Sequence, residues 1–447
     1  MMKIACLIAL TLLFSFSKSN GQYTTIFHSP QDSVKYAELW KSITENKFAS
    51  SLNMDSIRTI SESYIKKRIF IKQPTYLGLE ILEQTSRPDT LTALSLTGKD
   101  LKKLPAQLYL CKNLEVLEII NTQIRRLPKK LNNLNSLKKI YIYNQPDARN
   151  LRISKLYNVQ HFSLAHNELK KTPRRIHRMQ GLKSLALSHN ELTKLPAYLH
   201  KFKNLEELKV DYNKIEVINA KKINNTLVKL NLLRNELTSV PEDIRKFPAI
   251  KELILSHNKI EQISPAIVKL SNLQNLIFYR NNLTQIPQEI LDIKTLEELD
   301  FYYNKIEKIP SEVEKLENIK LLYLSFNEIN ELPEQLGNLK NLNELYLHHN
   351  KISDVPENFK NLKNLRVLHL NGNLLSSFPL QLLQLQNLED LDISHNIIYE
   401  LPVELTSLKK LQMLYINNNP IDKRAPGLEN YLKIVEEFEK RQIIINY

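Results

Sequence analysis

The chain has 447 residues, of which 42% are hydrophobic and 25% are charged, and its formal net charge is +14. This composition is that of a folded protein and excludes general disorder as a starting hypothesis. Seven residues are glycine, and the sequence contains no phosphate-binding loop, dinucleotide fingerprint, nucleophile elbow or paired-cysteine motif, so we predict no catalytic residues, no cofactor and no enzymatic activity.

The first 21 residues have the features of a secretory signal peptide. Lys3 supplies a positive start, and the apolar run from Ile4 to Phe16 is too short to span a bilayer. A polar stretch then leads to a plausible cleavage site before Gln22. An uncleaved N-terminal anchor is the alternative. From the predicted signal peptide, we expect a secreted, periplasmic or cell-surface protein with no transmembrane span in the mature chain.

Cleavage after residue 21 also changes the cysteine content and the charge. It removes Cys6 and leaves Cys111 alone, which rules out an internal disulfide in the mature chain. It removes Lys3 and Lys18, so the net charge falls from +14 to +12. Cys111 occupies a leucine position of the repeat described below, and we expect it to be a buried structural thiol.

Residues 22–90 do not follow the repeat and are predicted to form a helical cap over its first unit. The stretch 29–43 begins with helix-start residues and places Trp40 on an apolar face. Further helices are predicted at 55–67 and near 76–84. A small independent module is the alternative for this segment.

Residues 91–421 consist of fifteen units with the pattern L-x-x-L-x-L-x-x-N-x-L-x-x-L-P, spaced 23 residues apart except for two steps of 22. The segment L-K-S-L-A-L-S-H-N-E-L-T-K-L-P from Leu182 is one example, and L-N-E-L-Y-L-H-H-N-K-I-S-D-V-P from Leu342 is another. One unit cannot bury its apolar residues alone, so the array predicts a solenoid. The units begin at Leu91, Leu114, Leu137, Val159, Leu182, Leu205, Leu227, Ile250, Leu273, Leu296, Ile319, Leu342, Leu365, Leu388 and Leu411.

This pattern resembles that of leucine-rich-repeat proteins, in particular the 23-residue type of bacterial repeat proteins and of Ras-group and disease-resistance-like repeats. The resemblance covers residues 91–421, about three quarters of the chain. It implies an α/β leucine-rich-repeat solenoid, a curved horseshoe with a parallel sheet on its concave face and helical N- and C-terminal caps. It says little about the ligand.

The motif also has a physical meaning of its own. Alternating leucines form a short strand with one buried face. The asparagine eight residues after the first leucine is expected to cap backbone groups of the turn. Twelve units keep it, whereas Lys99, Thr122 and Gln145 replace it in the first three. The third unit departs furthest after Tyr143, which predicts a local loop or kink.

Residues 422–447 follow the last unit and are predicted to form a C-terminal helical cap. Apolar residues recur at helical spacing between Gly427 and Arg441. They are Leu428, Leu432, Ile434, Val435 and Phe438.

The side chains expected to face outward from the sheet lie two, four, six and seven residues after each starting leucine. At ~4.8 Å per strand, fifteen strands make a face roughly 70 Å long. Nine side chains of this face are acidic and five are basic, a net charge of −4, so the basic excess lies elsewhere. A nucleic-acid-binding groove needs the opposite arrangement. The acidic residues are Glu118, Glu207, Asp211, Glu252, Glu298, Asp300, Glu344, Asp390 and Asp392, and the basic ones are Lys139, Lys209, Lys229, Arg234 and Arg280.

Tyrosines are concentrated on the same face, and tyrosine suits binding interfaces because it is large, has few rotors and carries a polar tip. They are densest in units 8–12, and we predict that this exposed apolar stripe binds the ligand. Stacking that only stabilises the sheet is the alternative. We call the predicted ligand-binding residues the tyrosine patch: Ile254, Ile277, Tyr279, Tyr302, Tyr303, Tyr323, Phe326 and Tyr346.

Eight of the eleven histidines also fall on positions of this face. His348, His349, His369 and His395, with Asp392, are the nearest approach to a metal-binding set. The histidines are spread over many units, and several belong to a recurring Ser-His-Asn triplet of the repeat. We therefore predict no metal site.

Together these features predict a non-catalytic recognition module that binds a protein, or alternatively a glycan, through its concave face, and no nucleic acid. One competing interpretation is a structural cell-envelope protein that adheres to an anionic surface through its basic convex side. Another is an intracellular protein scaffold whose leader has been misread.

Overall fold

The computed structural model describes residues 79–145, 148–421 and 427–446. The predicted signal peptide at 1–21 and the helices predicted at 29–43 and 55–67 lie outside the described residues. Leu77–Tyr447 forms a body of its own, which contains the whole repeat array.

Each repeat unit contributes one short strand to a parallel sheet of sixteen strands, and strands consecutive along the array are neighbours in the sheet. The predicted solenoid with a parallel sheet is confirmed, and unit n supplies strand βn for the first fifteen strands. The strands are β1 (Ala93–Thr97), β2 (Val116–Ile120), β3 (Lys139–Tyr143), β4 (His161–Ser163), β5 (Ser184–Ala186), β6 (Glu207–Lys209), β7 (Lys229–Asn231), β8 (Glu252–Ile254), β9 (Asn275–Ile277), β10 (Glu298–Asp300), β11 (Leu321–Tyr323), β12 (Glu344–Tyr346), β13 (Val367–His369), β14 (Asp390–Asp392), β15 (Met413–Tyr415) and β16 (Ile444–Asn446).

The core is a continuous column of leucine, isoleucine and phenylalanine side chains. Leu299 of β10 pairs in register with Leu322 of β11, because equal repeat lengths bring equivalent leucines side by side. Phe301 stacks on Phe278 of the preceding unit, with ring centroids 5.5 Å apart. Cys111 is buried in this column, as predicted. Since each fully buried leucine contributes about 1.5–3 kcal/mol, stability is distributed along the array.

In units 4–15, a ladder of asparagines joins each coil to the one before it. In unit 10, Asn304 Nδ2 donates to the carbonyl oxygens of Phe278 and Phe301, each at 3.0 Å. Asn304 Oδ1 accepts a hydrogen bond from the Leu283 N–H at 3.1 Å. One side chain thus satisfies three backbone groups on two coils, which confirms the predicted capping role.

The irregular third unit keeps this ladder through a different residue. Gln145 Oε1 accepts a hydrogen bond from the Thr122 N–H, and Gln145 Nε2 donates to the Ile124 carbonyl at 2.9 Å. The chain then forms a short 3-10 turn at Ala148–Asn150 and a two-residue strand at Arg152–Ile153. The longer amide side chain of Gln145 therefore joins the third coil to the second, as asparagine joins consecutive coils in later units.

The return limbs are short 3-10 turns, most of which follow a proline. Pro333 has φ −75° and directly precedes such a turn, where no N–H donor is needed. The 3-10 segments are Pro88–Thr90, Ala106–Leu110, Lys129–Asn133, Ala148–Asn150, Ile176–Arg178, Leu199–Lys201, Glu242–Lys246, Pro265–Lys269, Ser311–Lys315, Glu334–Asn338, Glu357–Asn361, Leu380–Gln384 and Val403–Ser407. Two small parallel pairs also occur: Arg126–Leu127 with Arg152–Ile153, and Ser239–Val240 with Gln262–Ile263.

Three α-helices are described: α1 (Leu79–Gln84), α2 (Gln288–Leu291) and α3 (Gly427–Lys440). Ile434 and Phe438 of α3 are fully buried and belong to the core. The chain after α3 adds β16 in parallel to β15, which the sequence did not predict. The cap boundaries at 22–90 and 422–447 stay predictions. None of the helices in the described part of the chain is long and apolar enough to span a membrane.

Candidate binding face

The strands present alternate side chains to the core and to the outer face of the sheet. In unit 10, Glu298 and Asp300 are partly exposed, whereas Leu299 between them is fully buried. The same alternation in neighbouring units makes rows of side chains that cross the strands. We call them the second-position, fourth-position and sixth-position rows, by the distance of each residue from its starting leucine.

The residue seven positions after each starting leucine has a left-handed backbone, which the sequence did not reveal. Tyr303 has φ 56° and Phe326 has φ 52°, and such a conformation costs about 1–2 kcal/mol for a residue other than glycine. These residues form a separate row, which we call the edge row: Gly98, Asn121, Asn144, His166, His189, Tyr212, Arg234, His257, Arg280, Tyr303, Phe326, His349, Gly372, His395 and Asn418. The tyrosine patch is therefore divided among three rows.

The sixth-position and edge rows meet in one cluster of rings. The Tyr302 ring lies 5.4 Å from Tyr279 and 4.8 Å from Tyr303, measured between centroids. Phe326 stacks on Tyr303 at 4.2 Å with the planes 14° apart. Arg280 places its guanidinium 4.9 Å from the Tyr303 ring centroid, in reach of a cation–π interaction. Five side chains from three units thus form one continuous surface.

A second stack lies in the fourth-position row. The rings of Tyr323 and Tyr346 are 4.8 Å apart with an interplanar angle of 7°. The Tyr346 hydroxyl donates to Glu344 Oε2 at 2.8 Å. His348 contacts both this stack and the first cluster, at 6.4 Å from Tyr346 and 5.5 Å from Tyr302. The two groups of aromatic residues are therefore contiguous.

The fourth-position row is not wholly apolar. Ile254 and Ile277 are paired in register on β8 and β9, but Asp300 follows them before Tyr323. Burial raises the pKa of the Asp300 carboxyl to about 7, although Oδ1 accepts a hydrogen bond from the Tyr302 N–H at 2.7 Å. The prediction of the patch from aromatic content alone left out this acid.

The patch is less exposed than an open apolar stripe, because neighbouring rings cover one another. Tyr346 is 8% exposed, and the other seven predicted residues are half-buried. Burial raises the pKa values of Tyr302, Tyr323 and Tyr346 above that of free tyrosine, so all three hydroxyls stay protonated. The patch thus presents less apolar area to a ligand than eight fully exposed side chains would.

Histidine rings of this face also stack on neighbouring rings. His166 and His189 lie 4.2 Å apart, and His189 lies 4.2 Å from Tyr212. Burial, with the neighbouring His189, lowers the pKa of His166 to about 4, and burial lowers the pKa of His348 well below its usual value. The His166 and His348 rings are therefore neutral at physiological pH. In the described part of the chain, no group of three or more potential ligands is placed to hold a metal ion.

Comparison with protein families matches the repeat array. The description "Leucine-rich repeat region" matches residues 276–373, and "Leucine rich repeat" matches 157–215, 203–260 and 364–421. These matches together cover more than half of the chain, which therefore belongs to the leucine-rich-repeat proteins. No curated protein matches the sequence.

Solved structures of similar fold come from bacteria, plants and animals. A leucine-rich-repeat protein of Leptospira interrogans is 27% identical with a TM-score of 0.55, covering 84% of this chain and 100% of its own. The Arabidopsis receptor kinase HAESA, solved with a peptide hormone and a co-receptor, is 26% identical with a TM-score of 0.51, covering 74% of this chain and 62% of its own. The Toll–Spatzle complex of Drosophila has a TM-score of 0.64 at 21% identity, covering 74% of this chain and 48% of its own.

Proposed function

We propose that this protein is a non-catalytic recognition module that binds a protein or peptide ligand through the tyrosine patch. The observation that carries the proposal is the contiguous aromatic surface built by consecutive repeat units, in which Tyr302, Tyr323 and Tyr346 take part. Rigid aromatic side chains with polar tips contribute strongly to interfaces, because little rotamer freedom is lost when they bind.

The similar structures support a binding role. HAESA, which is similar to this chain at 26% identity, was solved with a bound peptide hormone. A parallel sheet with an outward-facing surface provides a long, rigid platform of the same kind here. A glycan ligand is the alternative, since tyrosine rings also pack against sugars.

We place the protein outside the cytoplasm, because residues 1–21 have the features of a secretory signal peptide. Adhesion to an anionic envelope through the basic residues off the face is the competing function. It is motivated by the net charge of +12 after removal of residues 1–21, against a net charge of −4 on the face. The patch variant described below distinguishes the two functions, since adhesion through basic residues off the face does not depend on Tyr302 or Tyr323.

The test uses the full chain as bait against extracted surface proteins, with the captured protein identified and its affinity then measured. Tyr302→Ala/Tyr323→Ala is the patch variant. Tyr157→Ala/Tyr399→Ala is the matched control, because both control tyrosines are exposed and lie off the predicted face. Circular dichroism melting verifies that both variants fold.

The patch variant is expected to bind at least about ten-fold more weakly, and the control variant to bind like the wild type. Equal affinities of the patch variant and the wild type would contradict the proposed function. Equal losses in both variants would also contradict it.

A further inference from the structure

The acidic and basic side chains of the face are segregated along the array. Units 1–9 carry four acidic and five basic residues on the face, whereas units 10–15 carry five acidic residues and no lysine or arginine. The acidic residues of units 10–15 are Glu298, Asp300, Glu344, Asp390 and Asp392. The net charge of −4 therefore comes from the C-terminal part of the face.

Two acidic residues of the second-position row in the middle of the array, Glu207 and Glu252, form ion pairs within the sheet. Lys209 Nζ lies 3.2 Å from Glu207 Oε1, and Lys229 Nζ lies 2.7 Å from Glu252 Oε2. By contrast, no lysine or arginine of the described residues forms an ion pair with any of the five acidic residues in units 10–15. The second-position acids among them, Glu298, Glu344 and Asp390, are therefore not neutralised by a basic side chain of the sheet.

The second-position row alternates between acidic and apolar side chains from unit 10 onward, and successive members are neighbours in register. At ~4.8 Å per strand, consecutive acids of this row are roughly 10 Å apart. The members in order are Glu298, Leu321, Glu344, Val367, Asp390 and Met413.

Asp390, the last acid of this row, gives an independent indication of a missing partner. Its side chain is 2% exposed, and neither carboxylate oxygen accepts a hydrogen bond from a described residue. The nearest basic group is His369 Nε2, 3.4 Å from Oδ1, which is itself without a hydrogen bond. A buried carboxylate without donors is costly, so a donor group supplied by a ligand would be strongly favoured.

The spacing of these acids fits an extended peptide. A polyproline-type segment advances ~3.1 Å per residue and an extended strand ~3.3 Å, so three residues span about 10 Å. In the polyproline form, every third side chain also points to the same side. The half-buried ring of Tyr323 in the adjacent row offers a further contact to a cationic group.

We infer that the second-position row of units 10–14 binds an extended cationic segment of the protein ligand, with a lysine or arginine at every third residue opposite Glu298, Glu344 and Asp390. The residues between them lie against Leu321 and Val367. This inference rests on the proposed function, because it assigns a chemistry to the ligand that the same face binds.

The test measures fluorescence anisotropy of labelled twelve-residue peptides with the full chain. One peptide carries lysine at every third position, the second carries the same lysines in one block, and the third replaces each lysine with glutamate. Glu344→Gln/Asp390→Asn is the test variant. Glu207→Gln/Glu252→Gln is the matched control, since it removes the same charge from the same row where lysines already pair with it.

The spaced-lysine peptide is expected to bind the wild type more tightly than the block peptide, and the glutamate peptide not to bind. The test variant should lose about ten-fold in affinity for the spaced peptide and the control less than about two-fold. Equal losses in both variants, equal binding of the two lysine peptides, or preferential binding of the glutamate peptide would overturn the inference.

The two proposals fail separately. If the spaced-lysine peptide does not bind but the captured protein still depends on Tyr302 and Tyr323, the cationic segment is wrong and the proposed function stands. If the captured protein is insensitive to both tyrosines, the proposed function is wrong, whatever the peptide does.

Discussion

At the scale of single residues, Asp300 is the polar member of a row that otherwise carries isoleucine and tyrosine on its nearest strands. Its carboxyl accepts a hydrogen bond from the Tyr302 N–H, yet burial still raises its pKa to about 7. In the unfolded chain it titrates near its ordinary value of 3.8. The folded protein therefore holds this proton more tightly than the unfolded chain does.

The pH dependence of stability follows from this difference. Between about pH 4 and pH 7 the folded state binds more protons at Asp300, so the free energy of unfolding falls as the pH rises through this range. Asp300→Asn removes the titrating carboxyl, and with it this fall in the free energy of unfolding. We expect the free energy of unfolding of the variant, relative to that of the wild type, to rise by on the order of 1 kcal/mol from pH 4.5 to pH 8, measured by urea denaturation.

The measurement is a difference between two proteins, because His166 titrates in the same range with the opposite sign. The pKa of His166 is lowered from its ordinary value of 6.5 to about 4. At this residue the unfolded chain therefore binds the proton more tightly, and the free energy of unfolding falls as the pH falls through this range. That contribution is the same in both proteins and cancels. A variant whose advantage over the wild type is constant between pH 4.5 and pH 8 would show that Asp300 titrates normally.

The tyrosine patch shows what residue types alone predict. Tyr302, Tyr323 and their neighbours were found from aromatic content and spacing, because side chains one repeat apart must be adjacent. The left-handed backbone at Tyr303 and Phe326 could not be predicted, since neither tyrosine nor phenylalanine marks a positive φ as glycine does. Asp300 was counted as a charge and missed as a member of the same row.

At the scale of secondary-structure elements, the asparagine ladder holds consecutive coils together. Asn304→Ala leaves the buried Leu283 N–H without its side-chain acceptor. It also removes one of the two asparagine donors from each of the Phe278 and Phe301 carbonyls. We expect a loss of about 3 kcal/mol in the free energy of unfolding, by urea denaturation.

Asn318→Ala is the matched control. Asn318 Nδ2 also donates to a carbonyl of the preceding unit, at 2.9 Å to Lys294, but in an exposed position where water replaces the bond. Its loss should stay below about 1 kcal/mol. Similar losses from the two variants would mean that the buried ladder adds nothing beyond an ordinary surface hydrogen bond.

The leucine spacing predicts the strands of the repeat array, but it does not predict the strand after the array or the contacts between charged side chains. Leu299 and its equivalents must be buried, so their period determines where each strand of the array falls. β16 was missed because Ile444–Asn446 has no leucine period and adds to the sheet only after α3 has returned the chain to β15. The ion pair between Lys229 and Glu252 was also missed, since a charge count does not show which side chains meet.

At the scale of the whole molecule, each coil of the array contacts mainly its neighbours, so damage is expected to stay local. Phe438 of α3 is fully buried at the C-terminal end of the core. Phe438→Ala should cost about 3–5 kcal/mol locally. Hydrogen exchange is expected to speed up in β14 and β15 and to stay unchanged in β8–β10.

Leu432→Ala in the same helix is the control for this variant, because Leu432 is exposed. It should leave exchange in β14 and β15 close to that of the wild type. Uniformly faster exchange along all strands in Phe438→Ala would show instead that the array unfolds as a single cooperative body.

The central claim is that the ligand lies on the tyrosine patch, and site-specific photo-crosslinking tests it most directly. A benzophenone amino acid replaces Tyr323 on the face in one protein and Tyr399, which is exposed and off the face, in another. Irradiation with the captured partner is expected to give a covalent product from position 323 and none from position 399. A product from position 399 alone, or equal yields from both, would contradict a ligand bound on the tyrosine patch.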